Sequence, residues 1–540
     1  MLHDFSFLNE KSIFPPSSEL ERLKTYEDNE NLFNQNISDV LSAHEARIRD
    51  IDRKFAELDW ASYTGNHYEL DLNYFQLIAL KNADMICGEP PTITFRKKQE
   101  IKLPEPPPEP QYDENGEEII PDDAQSEFEQ EYKDALKQQA EQKQNENLEN
   151  VIDHTELYKK LQSVAVGCSY AGDIPVRVYL DDEGKNNFTL ISPSMWYPII
   201  DREIKEKVIA HVLAWVVCVD VDREKYQLNV QIHEKGFYTN CLYDINGVPQ
   251  KVSSVGKDSL LVNMRRYEIG RLISKSEPIS TGLDDFAIVV FQNLVPPTSI
   301  YAINDYDRVT PILAELNVRY TLEGLILDKH SAPTLAVPPS ALVQNRQGEW
   351  TAAVGGVIRV QRDEIAPSYI TWDASLQANH LMIEKLEKHL YSLSEMGAVL
   401  NDDAFGASQG FEALETRMTN ARLKARRSAS NFTRPLKKLI SLLSQIGYER
   451  IESAELSVQW NDGLPNNEYR ETDIALRKVG NKAIFDRDTV LKEHYGRTQE
   501  EADLIVQKLK DEEGGGFAGQ YASLLGMNNQ AEDVVDEGNE

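Results

Sequence analysis

Apolar positions along the chain change their spacing several times, and each change marks an element. Between Leu72 and Ile86, the residues Phe75, Ile78, Ala79, Asn82 and Ile86 fall on one side of a helix. Gly88-Glu89-Pro90-Pro91 follows, with glycine after the last turn and prolines just beyond, as a helix stop requires. Thr92-Ile93-Thr94-Phe95 then reads as a short strand. Upstream, the polar segment to about Thr64 has a helical pattern, with Val40, Leu41, Ile48, Ile51 and Phe55 spaced along Ser38 to Phe55. Further helices are predicted over Tyr132 to Leu148 and Glu156 to Val166. From Gly167 to about Val290 the pattern alternates, as in Val176 to Leu180, Val208 to Val221 and Gln227 to Ile232. Gly184, Gly236 and Asn246-Gly247 punctuate this region as turns, and Ala287 to Phe291 closes it as a buried strand.

A helix is expected to begin at Thr310, with Thr310 as N-cap and Pro311 in the first turn. Leu313, Leu316, Tyr320 and Leu327 mark one of its faces. Lys329 to Trp372 is short and strand-like, broken at Pro338-Pro339, Gly348 and Gly355-Gly356. A second helix is expected over Ser375 to Met396, roughly 33 Å long at the usual rise, with Met382, Leu386, Leu390, Leu393 and Met396 on one stripe. Gly397 to Gly410 is an acidic loop of small residues. A long helix is predicted from Phe411 to Ile446, basic in its first part and apolar at its end, stopped by Gly447. Leu456 to Trp460 reads as a strand, helices recur between Tyr469 and Glu513, and the acidic tail after Gly514-Gly515-Gly516 reads as disordered. There is no internal repeat, and the fold class is α+β.

One segment breaks the pattern. Lys102 to Tyr132 interleaves Pro104, Pro106, Pro107, Pro108 and Pro110 with runs of acid and carries too little apolar surface to fold alone. It reads as an extended insertion.

Charge narrows the function. The chain of 540 residues carries a formal charge of −32, which repels phosphate and argues against tight DNA binding by counterion release. Solubility alone would also account for it. The length suggests about three structural units. No N-terminal signal peptide is expected, because Met1 to Glu10 has no basic region followed by an apolar run. The longest apolar stretch, Val208 to Val221, is broken by His211 and Asp220, falls short of the roughly 20 residues of a membrane span, and is rich in β-branched residues as a buried strand is. Cys87, Cys168, Cys218 and Cys241 show no C-x-x-C spacing and read as free thiols in a reducing cytoplasm.

No motif for chemistry survives its context. Gly406-Ala407-Ser408-Gln409-Gly410 has the spacing of a nucleophile elbow, but an acidic loop stands where the elbow needs a strand. His44-Glu45 and His233-Glu234 lack the second histidine of a zinc-protease helix. There is no Walker A sequence, so no ATP hydrolysis is expected. Asp402-Asp403 and Asp284-Asp285 read as solvated loop acids. No catalytic residue, metal or cofactor is assigned. Arg417, Arg422, Lys424, Arg426, Arg427, Arg434, Lys437 and Lys438 form one cationic stretch. On charge alone it could face DNA. Neutralising acids within the chain or across a subunit interface fits the acidic total better.

The order of elements carries a resemblance. Asn73-Tyr74-Phe75 through Gly88-Glu89-Pro90-Pro91-Thr92-Ile93 is similar to the early helix and Gly-x-Pro turn of the portal proteins of tailed phages. Val289-Val290-Phe291-Gln292-Asn293 resembles the strand before that family's first stem helix, and Leu386-Glu387-Lys388-His389-Leu390-Tyr391-Ser392-Leu393-Ser394 its second stem helix. Phe405-Gly406-Ala407-Ser408-Gln409-Gly410-Phe411-Glu412-Ala413-Leu414 resembles the tunnel loop entering the long helix. Trp460-Asn461-Asp462-Gly463-Leu464-Pro465-Asn466 resembles the strand returning to the wing. The 102–132 insertion has no match in this pattern.

The resemblance implies a wing over 1–304, stem helices over 305–328 and 375–396, and a clip over 329–374. It further implies a tunnel loop over 397–410, a long wing helix and return strand over 411–465, crown helices over 466–513 and a disordered tail over 514–540. Asn401, Asp402, Asp403, Phe405, Gly406, Ser408 and Gln409 would then form the channel loop. Arg417, Arg422, Lys424, Arg426 and Arg427 would form a basic helix at a subunit interface or facing DNA. The implied protein is a ring of about twelve copies at one capsid vertex, in the virion, assembled in the host cytoplasm. Implied partners are the large terminase, a head-tail adaptor, the major capsid and scaffolding proteins, and double-stranded DNA passing without sequence-specific binding. No membrane is implied. An acidic conduit lets DNA slide. Two other readings are a head-tail adaptor or scaffold-like assembly protein without a channel, and a serine hydrolase built on Ser408.

Overall fold

The computed structural model describes residues 2–36, 50, 53, 72–95, 143–204, 206–220, 225–247, 266–331, 334–339, 342–344, 350–352, 362–363, 366, 368–370, 376–400, 416–461, 489, 491 and 502–508. The chain forms two compact units, Met1–Gly463 and Leu464–Glu540. In the second unit 502–508 is helical and Ala502 is buried.

The elements of the first unit begin with strand β1 (Ile13–Phe14), helix α1 (Leu20–Phe33), helix α2 (Tyr74–Cys87) and strand β2 (Thr92–Phe95). Residues 143–154 are helical, followed by α3 (Leu157–Ala171). The β-rich region comprises β3 (Asp173–Leu180), β4 (Asn186–Leu190), β5 (Trp196–Ile200), β6 (Val208–Asp220), β7 (Lys225–Glu234), β8 (Phe237–Gly247), β9 (Tyr267–Lys275), β10 (Ile279–Ser280) and β11 (Ile288–Gln292). Helix α4 (Thr310–Ser331) leads into the short strands β12 (Thr334–Ala336), β13 (Leu342–Gln344), β14 (Trp350–Ala352) and β15 (Ser368–Ile370). Then come α5 (Leu376–Ser394), the helical turn α6 (Gly397–Leu400), α7 (Thr419–Leu443) and β16 (Leu456–Gln459). The mixture of helix and strand is the α+β class read from the sequence.

The large sheet runs in the order β1-β9-β8-β7-β6-β5, with β10 pairing β8, and all of its ladders are antiparallel. Alternation decides its faces. Val212, Ala214, Leu228, Val230, Cys241, Ile245 and Ile269 point into one core, which the N-terminal segment covers with Leu2, Phe7, Leu8 and Leu23. A second sheet, β11-β3-β4, lies against the opposite face, where Trp196 and Leu213 meet Ile288. β16 pairs with β2, so two strands foreseen far apart in sequence form one ladder, with Val458 opposite Ile93.

Several boundaries differ from the sequence reading. Asn246-Gly247, expected as a turn, continues β8 and pairs with Glu268 and Tyr267. Gly167, expected to open the β region, lies inside α3, where a Cβ would come within 2.6 Å of Ile174. The stop is Gly172, whose φ of +92° reverses the chain into β3 beside the Ala302 carbonyl. Thr310 does not cap α4: its hydroxyl donates to the Tyr306 carbonyl at 2.8 Å. Asn304 takes that work, its Oδ1 accepting from the Tyr306 and Asp307 amides at 2.9 Å each. The start of the expected loop, Gly397–Leu400, is a helical turn.

The second core joins α1, α2, α4 and α5. Phe75, Ile78 and Ala79 of α2 pack with Tyr306, Val309, Leu313 and Leu316, and with Ile383 and Leu390 of α5. Contacts run in opposite order along the two helices, Arg308 ahead of α4 meeting Glu395 after α5 and Glu323 further along α4 meeting Asn379 near the start of α5, so the helices run antiparallel. Tyr320 donates to Glu387 Oε1 at 2.5 Å, and Asn379 donates to the Arg319 carbonyl at 3.3 Å. The pairs β12–β15 and β13–β14 lie in the chain between these helices. The apolar stripe expected on α5 holds at Leu386, Leu390 and Met396 and misses at Met382 and Leu393. Ile383 and Leu390 are buried, while Met382 is 39% and Leu393 45% exposed.

Candidate functional site

The two long helices meet α7 at a polar junction built around one carboxylate. Asp305 lies just before α4, its amide donating to the Ser169 carbonyl at 2.8 Å. Its Oδ2 accepts from Ser169 Oγ at 2.5 Å and from Asn82 Nδ2 at 3.0 Å. Its Oδ1 accepts from Asn293 Nδ2 at 3.2 Å and pairs with Lys424 Nζ at 3.1 Å. The donors come from α2, α3, the turn after β11, and α7. The side chains of Lys424 and Asp305 are only 8% and 11% exposed, so the pair is shielded from solvent and salt. Removing one member of such a pair costs about 3–5 kcal/mol, because the other is left charged and unpaired.

Lys424 also donates to the Ser394 carbonyl at 3.1 Å, at the C-terminus of α5 where carbonyls have no helical partner. The next residue, Glu395, sits at φ +59°, a left-handed position that a side chain seldom takes. Its carboxylate is held by Arg427 of α7 at 2.5 Å and by Arg308, ahead of α4, at 3.5 Å. Asn293 completes the junction: its Oδ1 accepts from Ser428 Oγ at 2.8 Å and its carbonyl accepts from Asn431.

These contacts place the basic stretch. Lys424 is buried and paired with Asp305; Arg427 is exposed and paired with Glu395; Arg417 and Arg426 are exposed, and Arg422 is half-buried. Further along, Lys438 pairs with Asp285 at 2.8 Å. Asn401, Asp402, Asp403, Phe405, Gly406, Ser408 and Gln409 lie outside the described residues, as do the Lys102 to Tyr132 insertion and His44-Glu45.

Asp284 and Asp285 lie in a loop, as the sequence reading has them, with Asp284 exposed and Asp285 half-buried, and both are ion-paired. Asp285 also meets Lys235 at 3.4 Å, and Asp284 pairs with Arg450 and accepts from Gln445 Nε2 at 2.9 Å. Burial raises the Asp285 carboxyl, but Lys438 and the Phe286 amide outweigh it and hold it below the usual carboxylate range. Asp284 is lowered by its bond from Gln445 and by Arg450.

Two further buried clusters are structural. Asp173 accepts from Tyr26 at 2.6 Å, from Gln292 at 2.7 Å and from the Ala302 amide at 3.1 Å, yet burial raises its carboxyl to about 6. Beside it Arg22 pairs with Glu19 at 2.8 Å and stacks 4.5 Å from the Tyr301 ring centre. His211 and His233 face each other across β6 and β7. Burial depresses them to about 3 and about 4, so both are neutral imidazoles near pH 7. His233 stacks on Tyr238 at 5.5 Å, within a strand rather than on a zinc-binding helix. Among the described residues no group of three or more His, Cys, Asp or Glu could hold a metal ion. Among them, too, no helix is long and apolar enough to cross a membrane.

Asp305, Glu395 and Ser169 were not singled out from the sequence. Signals for two of their partners were present. Asn82 is a polar residue in an otherwise apolar helical face, and Asn293 closes a strand just before the first long helix.

Residues 17–247 and 341–515 match the family model described as phage portal protein, SPP1 Gp6-like. The chain belongs to the SPP1 Gp6-like family of phage portal proteins. The family is a structural one, not a family of enzymes. No curated protein matches the sequence. Among solved structures, the chain is similar to one described as the neck of an empty GTA particle computed with C6 symmetry. That match has 9% identity and a TM-score of 0.36, covering 62% of this chain and 76% of the other. It is also similar to the virion of a native gene transfer agent particle, at 8% identity and a TM-score of 0.35, covering 62% and 78%.

Proposed function

We propose that this portal protein assembles as a ring of about twelve copies at one capsid vertex of the virion and forms the channel for packaging and ejecting DNA. In this reading residues 1–304 form the wing, and α4 and α5 supply the stem over 305–328 and 375–396. The short strand pairs lie in the clip over 329–374, and 397–410 is the tunnel loop, with Asn401, Asp402, Asp403, Phe405, Gly406, Ser408 and Gln409. Residues 411–465 are the long wing helix and return strand, 466–513 the crown and 514–540 the tail. The clip end would dock the large terminase during packaging and a head-tail adaptor afterwards. The capsid and scaffolding proteins would contact the wing.

The observation that carries this reading is the antiparallel pair α4 and α5. It brackets two short strand pairs and returns to the basic helix, in a chain whose family is that of phage portal proteins. Apolar residues left exposed on these helices agree with it. Leu327 is 52%, Leu381 55% and Leu423 50% exposed, which suits burial against neighbouring copies. The formal charge of −32 suits a conduit that does not grip phosphate. Negative-stain microscopy of the purified protein tests the proposal. Rings with a central hole are expected; particles without a hole would support a scaffold-like assembly protein instead.

A further inference from the structure

The junction around Asp305 does more than bury charge. Lys424 of α7 touches both the entrance to α4 and the exit from α5. Its Nζ is 3.1 Å from Asp305 Oδ1 and 3.1 Å from the Ser394 carbonyl. A lysine on the basic helix would be expected to reach solvent; this one is 6% exposed. One turn further along α7, Arg427 holds Glu395, and Arg308 holds the same carboxylate from the α4 side. The chain therefore leaves α5 through a residue in a left-handed conformation, gripped by two cations on two different elements. Such a conformation persists only where its surroundings over-determine it.

We propose that Lys424 is a positioning residue, whose ammonium fastens the entrance of α4 and the exit of α5 to α7 and so fixes the direction in which the chain leaves Ser394. Its role is not contact with DNA. The geometry explains why a lysine serves here. One compact ammonium with three donors can reach a carboxylate and a carbonyl at once, and the Asp305 charge offsets its burial. Glu395 is the second stage of the fastener, half-buried but held by two exposed arginines and therefore weaker. This proposal rests on the portal reading only for its consequence in packaging; the fastening itself is a property of the folded chain.

Amide hydrogen exchange on the purified full-length protein tests it, comparing wild type with Lys424→Met, Lys424→Arg and the double variant Lys424→Met/Asp305→Asn. In Lys424→Met, exchange over 395–400 and 305–309 should rise about ten-fold or more, while peptides in 208–247 stay within about two-fold of wild type. Lys424→Arg keeps the charge but not the compact ammonium and should restore only part of the protection. The double variant removes the unpaired Asp305 charge, so it should recover global stability yet still exchange fast over 395–400. A uniform rise across the protein, or no local rise in the double variant, would overturn the proposal by reducing Lys424 to an ordinary buried ion pair. If the portal reading fails, because no rings form, these exchange results stand unchanged. If rings do form, the double variant should assemble at the wild-type mass and package less DNA. Full packaging together with fast local exchange would refute that consequence alone.

Discussion

At the scale of single residues, burial sets the protonation of Asp173, His211 and His233, and the signs differ between sites. Asp173 is raised to about 6 from an ordinary value near 4, so between these limits the native state holds a proton that the unfolded chain does not. Stability must then fall as pH rises through this window. His211 and His233, depressed by burial to about 3 and about 4, act in the opposite direction: stability is lost as pH falls below their unfolded value near 6.5. The raw pH profile of the protein mixes the two effects, so Asp173 is isolated by a difference. Asp173→Asn keeps the shape and can still meet Tyr26 and Ala302. Urea unfolding at pH 4, 5, 6 and 7 should show the stability of wild type relative to this variant declining with pH, by at most about 3 kcal/mol over the window. A flat difference would mean that the carboxylate is stabilised by its three hydrogen bonds as fully as it is penalised by burial. None of this was legible in the sequence, where Asp173 is one acid among many. What a sequence does expose is a polar residue in an apolar pattern. Asn82 was visible in that way, and the structure aims it at Asp305.

At the scale of elements, helical periodicity found α2, α4, α5 and α7, and alternation found β3, β6, β7 and β11. The ends were less legible, because they depend on partners distant in the chain. Asn246-Gly247 has turn chemistry, but β9 offers it a ladder and extends β8 instead. On α5 the error was confined to two positions of the apolar stripe. Of Met382, Leu386, Leu390, Leu393 and Met396, which have good helical spacing, Leu390 and Met396 are buried and Leu386 packs on the core, but contact with α4 and α2 selects Ile383 over Met382 and leaves Leu393 exposed. A sequence shows the spacing and cannot say which of these positions the chain itself covers. The distinction is measurable. Leu390 is fully buried, so Leu390→Ala should cost about 2–5 kcal/mol in urea unfolding. Leu393 is 45% exposed, so Leu393→Ala should cost less than about 1 kcal/mol. Equal costs at the two positions would mean that the stripe read from spacing was the true core face.

At the scale of the whole molecule, the question is how a chain of charge −32 would gather into the proposed ring. Copies of one acidic surface repel, and at low salt the repulsion reaches across a Debye length of several ångströms to tens of ångströms. Assembly therefore needs cations placed where subunits meet. Within the chain, Lys424, Arg427 and Lys438 are already committed to Asp305, Glu395 and Asp285. Arg426 and Arg434 differ: both are exposed, and they lie eight positions apart on one helix, near enough to two full turns to share a side. If the basic helix serves subunit contacts, these two are its outward charges, and each would meet an acid of the next copy. Arg426→Glu/Arg434→Glu should then fold normally but shift native mass toward small oligomers in about 50 mM salt, with rings recovering above about 0.5 M as repulsion is screened. If the helix faces DNA instead, the same variant should form rings of wild-type mass at both salt concentrations and fail only in packaging. Subunit contact is the outcome expected here, because a cation that neutralises a neighbour's acid lowers the energy of the assembled ring. In the proposed channel, one aimed at DNA would hold back a duplex that would need to slide.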